Sequence, residues 1–129
     1  MIGGIFYTGG TDSTRGYVYV GSSHSGTFRL FNSLGGDPNS KPVVPFELRG
    51  GTSVIQQYHL PGPGSDRNFK LYGGVNRIDN TASAMMTSSD AYVASGITSA
   101  RFIGGTYKGG FDIDNQAGAS TIVTGNVSR

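Results

Sequence analysis

Short runs in which apolar and polar residues alternate, broken by glycine- and serine-rich stretches, make up most of this chain. Alternation with a period of two marks a strand with one buried face. Tyr17–Val20 and Thr27–Asn32 read as strands, and the second puts Phe28 and Leu30 on one face and Arg29 and Phe31 on the other. The loop at 21–26 joins them as a hairpin. Pro42–Leu48 places Val44, Phe46 and Leu48 on one face, and Pro42 and Pro45 assign it to a sheet edge. Ser53–Leu60 alternates without a cleanly apolar face. Phe69–Tyr72, Tyr92–Val93, Ala100–Ile103, Thr106–Tyr107, Phe111–Ile113 and Thr121–Val123 are further short strands. Turns fall at 11–15, 33–41 and 61–66, and 76–90 reads as polar, with a helical turn only at Ala84–Met86. Glycine doublets begin at residues 3, 9, 35, 50, 73, 104 and 109 without a fixed period, which argues against a regular solenoid over the whole chain.

Composition sharpens this picture. The 129 residues include 22 glycines, one glutamate, three lysines, five leucines and seven alanines, so strong helix formers are scarce. The reading is one all-β domain over 1–129, an antiparallel β-sandwich of jelly-roll type with long glycine-rich loops, and a short β-helix fragment as the alternative. Residues 1–10, with Ile2, Ile5, Phe6 and Tyr7 between glycine pairs, form an N-terminal arm in that reading. The start lacks the basic and long apolar regions of a signal peptide, and no apolar run is long enough for a membrane helix. Absence of cysteine excludes disulfides and thiolate metal sites. Net charge is +2, with the basic residues scattered along the chain, and a nucleic-acid binder would show a stripe or cluster.

Candidate chemistry is thin, and neither a catalytic set nor a cofactor motif emerges. Asp112 and Asp114, two apart on a strand, project from one face roughly 7 Å apart, near the spacing of glycosidase carboxylates. Two solvated acids at a turn is the simpler reading. His24, between serines, and His59 could each be paired with a serine, yet no strand–turn–helix elbow surrounds them. Glu47 on an edge strand serves to block unwanted pairing, and Arg49-Gly50-Gly51 is a turn. Tyr17, Tyr19, Tyr58, Tyr72, Tyr92 and Tyr107 fall on predicted strands, and tyrosine offers large contact area at low entropic cost.

The stretch RGYVYVGSSHSGTFRLFNSLGGDPNSKPVVPFELRGGTSVIQQYHLPGPGSDRNFKLYGGV, residues 15–75, resembles in layout the small virion structural proteins of tailed bacteriophages. FIGGTY, KGGFDI and STIVTG, beginning at 102, 108 and 120, are similar to β-helix rungs of phage tailspikes. The first resemblance implies a β-sandwich, symmetric assembly and no catalysis, and neither assigns a functional residue.

The expected function is therefore a non-enzymatic virion protein, a capsid decoration or cement protein assembled in the host cytoplasm without cofactor, metal, nucleic acid or membrane. Its expected partners are copies of itself, as in a symmetric trimer, and the major capsid protein, with Ile2, Ile5, Phe6 and Tyr7 as the contact. The alternative is a tailspike or tail-fibre module that recognises a host polysaccharide, and a third reading is a lyase or hydrolase using Asp112 and Asp114.

Overall fold

The computed structural model describes residues 2–6, 18–35, 46–60, 67–83, 89–107, 110–125 and 127–128. Tyr7, the 11–15 turn, Pro42 and Pro45, the 61–66 loop and the Ala84–Met86 segment lie outside them.

Among the described residues all strand pairs are parallel, so the antiparallel sandwich is overturned. The chain winds as a solenoid. One sheet holds β2 (Val18–Val20), β4 (Phe46–Leu48), β6 (Phe69–Leu71), β9 (Ala91–Val93) and β12 (Ile113–Asn115), stacked in chain order. The other, of nine strands, holds β1 (Ile2–Phe6), β3 (Thr27–Gly35), β5 (Thr52–Leu60), β7 (Val75–Asp79), β8 (Ala82–Ser83), β10 (Ser99–Ile103), β11 (Thr106–Tyr107), β13 (Thr121–Thr124) and β14 (Val127–Ser128). We call these the short-strand and long-strand sheets. Each coil takes one strand from the first, turns, and runs through the second.

The hairpin read over 17–32 is corrected: β2 and β3 lie in different sheets, and loop 21–26 is the corner between them. Phe46 and Leu48 do share the buried face, but β4 sits inside its sheet, between β2 and β6, and is not an edge. The period also exists. Phe46 pairs with Phe69, Phe69 with Ala91 and Ala91 with Ile113, steps of 23, 22 and 22 residues. Of the glycine doublets, those at 50 and 73 carry this step. FIGGTY and KGGFDI belong to different faces of the solenoid, and only STIVTG stacks directly on the first of them, Phe102 over Val123.

Register dictates the core, because every inward side chain lies on its counterpart one coil away. Val20, Leu48, Leu71 and Val93 form one such column, and Leu30, Ile55, Ile78 and Phe102 another, all buried. Phe46 stacks on Phe69 with centroids 5.4 Å apart, and Phe69 meets Phe102 across the interior at 6.1 Å. Each such aliphatic side chain contributes about 1.5–3 kcal/mol by leaving water. The columns end differently. Val123 continues the Leu30 column but is 40% exposed, whereas Asn115 continues the Val20 column with its amide turned to the corner backbone, donating to Gly118 O and accepting from Ala117 N–H. A third inward column runs Phe28, Ser53, Asn76, Ala100. Asn76, buried, donates its amide to Gly73 O at 3.0 Å. This polar entry conceals β7 within a stretch whose sequence reads as a loop.

The corners stack as tightly as the strands. Val75 N–H donates to Gly51 O at 2.9 Å and Thr98 N–H to Gly74 O at 3.0 Å, continuing the ladder through the turns. Gly51 and Gly74 have φ of +65° and +74°, and a Cβ on Gly74 would collide with Gly51 O of the coil beneath. A second bend divides the long-strand sheet. Gln57, Asn80, Gly104 and Gly125 fall at equivalent positions of successive coils, all with positive φ. Gln57 therefore interrupts the alternation of Ser53–Leu60, which explains why neither face of that run looks apolar.

Two outcomes follow from this packing. Gly74→Ala combines a left-handed backbone with a backbone clash and is expected to cost about 2 kcal/mol or more, lowering Tm by roughly 5–10 °C. Gly96→Ala, at a corner where the nearest atom is 3.7 Å away, serves as the neutral control in the same melting experiment. The second concerns Tyr107, buried, with its hydroxyl hydrogen-bonded to Thr81. Burial raises its pKa from 10.0 to about 12. The folded value lies above the unfolded one, so this contribution is intact below pH 10 and lost as pH climbs toward 12. Denaturation measured between those limits should show stability falling by up to about 2–3 kcal/mol. Tyr107→Phe should flatten that fall.

Candidate functional site

The outward face of the short-strand sheet is a single column: Tyr19, Glu47, Lys70, Tyr92 and Asp114, one residue per coil. They point outward because Val20, Leu48, Leu71 and Val93, their strand neighbours, point in. The corners add Arg49 and Tyr72 beside this column, and Arg67 enters it just before β6.

These side chains are interlocked. The Arg49 guanidinium lies 4.4 Å from the Tyr72 ring centroid and 5.9 Å from that of Tyr19. It also binds Glu47 Oε1 at 2.6 Å, a hydrogen bond that raises the Arg49 pKa above its ordinary value. Tyr72 and Tyr92 meet at 5.6 Å, and Arg67 lies 5.4 Å from the Tyr92 centroid while pairing with Asp114 at 3.3 Å. Rings and guanidinium planes thus run without a break from Tyr19, 65% exposed, to Asp114. Such a surface is flat and partly apolar, with hydrogen-bonding groups along its rim. Chemically it can stack on a planar or pyranose face and hydrogen-bond to hydroxyls.

The candidates read from the sequence scatter across the molecule. Asp114 accepts from Arg67 and, at 2.7 Å, from Gln116, so it serves as an ion-pair partner within the tyrosine face. Asp112 is exposed, and its N–H donates at 3.0 Å to Asp90 Oδ2, whose other oxygen accepts from the Asn68 amide. Asp90 is thus the carboxylate that ties three coils together. Glu47 is not an edge guard, since β4 is flanked on both sides, and it pairs with Arg49 instead. His24 is exposed in the first corner, its ring packed against Gly26 and Gly51. His59 lies in β5, and its side chain falls outside the described residues. Ile2, Ile5 and Phe6 lie in β1, which pairs in parallel with β3 of the same chain. Of the six tyrosines, Tyr19, Tyr72 and Tyr92 converge on this face, and Tyr107 is interior. Arg49 and Arg67 were not legible as site residues. A step of 22–23 residues links Glu47, Lys70, Tyr92 and Asp114, but no two tyrosines of the face stand at that step, so the sequence carries no direct signal for their meeting.

Among the described residues no helix is long and apolar enough to cross a membrane, and no group of three or more His, Asp or Glu side chains could hold a metal ion.

A double-mutant cycle on Arg49→Ala and Tyr72→Ala tests whether this stacking is energetically real. The double variant is expected to lose less stability in urea denaturation than the sum of the two single variants, as for an exposed cation–π pair. Additive losses would mean the two side chains do not support each other.

Comparison with family models, curated proteins and solved structures finds no match.

Proposed function

We propose that this protein is a non-enzymatic module that recognises a cell-surface polysaccharide, in the manner expected of a tailspike or tail-fibre component of a virion. The observation that carries it is the continuous tyrosine–arginine face on the short-strand sheet, with Tyr72 and Tyr92 5.6 Å apart and both held by guanidinium groups. Rings braced in this way are preorganised, so little entropy is lost when a sugar settles on them. The Asp114 carboxylate is held by Arg67 and Gln116, which supports binding without hydrolysis by an Asp112–Asp114 pair. The capsid-decoration role leaned on a sandwich that is absent. A parallel solenoid with a continuous tyrosine–arginine face suits an adhesive role better. The virion setting itself rests on the resemblances of residues 15–75 and of the tail.

Self-association remains part of the proposal. Among the described residues β1 is bonded on one side only, to β3, and its outer edge can accept a strand from another copy.

The test is titration of the intact chain against a panel of bacterial surface polysaccharides, with Tyr72→Ala and Tyr92→Ala as variants. Each substitution should weaken saturable binding about tenfold while lowering Tm by only a few degrees, with circular dichroism showing that the fold is kept. Binding indifferent to both substitutions, or depolymerisation of the glycan abolished by Asp112→Asn/Asp114→Asn, would remove this reading.

A further inference from the structure

The tyrosine face of the short-strand sheet carries charge, but its cations are engaged within it. Arg49 presents one edge to Glu47 Oε1, with Nε and a terminal nitrogen both at 2.6 Å, and sits over the Tyr72 and Tyr19 rings. Arg67 meets Asp114 at 3.3 Å and the Tyr92 ring at 5.4 Å, and Asp114 also accepts from Gln116. Lys70 stands in register between Glu47 and Tyr92 and is engaged as well. Glu47, Asp114 and Asp112, the last exposed just before β12, match the three cations and leave the face formally neutral.

The rings of this face follow the solenoid axis. Tyr19 lies on β2, Tyr72 at the corner after β6 and Tyr92 on β9. From β2 to β9 there are three coil steps, about 14 Å at roughly 4.8 Å each. Tyr19 stands exposed at one end. Tyr72 and Tyr92, half-buried and 5.6 Å apart, form the other end, and Arg49 bridges the interval.

We infer that this face selects an uncharged polysaccharide, lying along the solenoid axis from Tyr92 to Tyr19, and discriminates against chains that bear carboxylate or sulfate. The inference rests on the glycan-binding reading proposed above and adds to it the ligand's class and direction. An acidic chain would compete with Glu47 for Arg49 and with Asp114 for Arg67, and would set its own charges against those carboxylates. Its anions would lose water without gaining a cation in return. A neutral chain meets neither obstacle. Its apolar ring faces stack on the tyrosines, and its hydroxyls donate to the carboxylates and exchange hydrogen bonds with the phenol hydroxyls. A nucleic acid, with a charge on every phosphate, is disfavoured for the same reason as an acidic glycan.

The experiment titrates the intact chain against neutral and uronate-bearing bacterial surface polysaccharides, each uronate polymer also in its carboxyl-reduced, uncharged form. Oligosaccharides of increasing length, cut from a neutral polymer that binds, complete the set. Neutral polymers should bind with an affinity that changes less than about twofold between about 50 and about 500 mM salt. Carboxyl reduction should strengthen the binding of a uronate polymer about fivefold or more. Tyr19→Ala should weaken long oligomers about fivefold and leave unchanged the short ones that sit on Tyr72 and Tyr92. Glu47→Gln leaves Arg49 without its carboxylate and should raise affinity for uronate polymers about fivefold, with a salt dependence the parent chain lacks. Circular dichroism establishes that both variants are folded. Tyrosine-dependent binding in which uronate polymers surpass their reduced forms, an equal effect of Tyr19→Ala on short and long oligomers, or no gain for Glu47→Gln overturns this inference and leaves the proposed function standing. No saturable binding of any polymer removes both.

Discussion

The parallel hydrogen-bond ladder is the constraint on which everything else in this structure depends. It joins each coil to the next through both sheets and through the corners, fixing each residue about 4.8 Å from its counterpart. A side chain therefore has no choice of neighbour, because its neighbour is whatever stands one coil earlier and one coil later. Leu48 meets Val20 and Leu71 for this reason, and Gly74 must be glycine because Gly51 O lies beneath it. The same rule makes a buried polar residue tolerable only where the stack supplies its partner, as Gly73 O does for Asn76 and Asp90 for Asn68.

The ladder also turns single surface residues into surfaces. A tyrosine or arginine on an isolated strand is one exposed group. Repeated at the coil step it becomes a line with a fixed spacing, rigid because the backbone beneath it is fully bonded. Two such lines form, one on each sheet. On the short-strand sheet charges are paired, Glu47 with Arg49 and Asp114 with Arg67, and rings fill the spaces between them. On the long-strand sheet Arg29, Arg77 and Arg101 share one outward column, and Asp79 beside it is bonded to Arg77.

Much was legible in the sequence. Period-two alternation located Phe28 and Leu30 and Phe46 and Leu48, and the strands read at 69–72, 92–93 and 100–103 fall within a residue of β6, β9 and β10, since inward and outward residues differ in polarity whichever way strands pair. Asn76 defeated the same rule, because its amide is satisfied by a neighbouring carbonyl and a buried asparagine looks like a loop residue. Gln57 defeated it too, since a left-handed residue flips the alternation within an apparently continuous run. Tyr72 and Tyr92 were visible as strand-associated tyrosines, but their meeting each other was not.

What the sequence by itself determined is local: an all-β chain, its inward and outward positions, and its glycine corners. These follow from steric preference and from burial, which act on each short segment alone. The direction of pairing, the coil step and the gathering of Arg29, Arg77 and Arg101 into one line were decided only by tertiary structure. Residues more than twenty apart acquire a relation only after the ladder closes between coils, and alternation is the same for parallel and antiparallel partners.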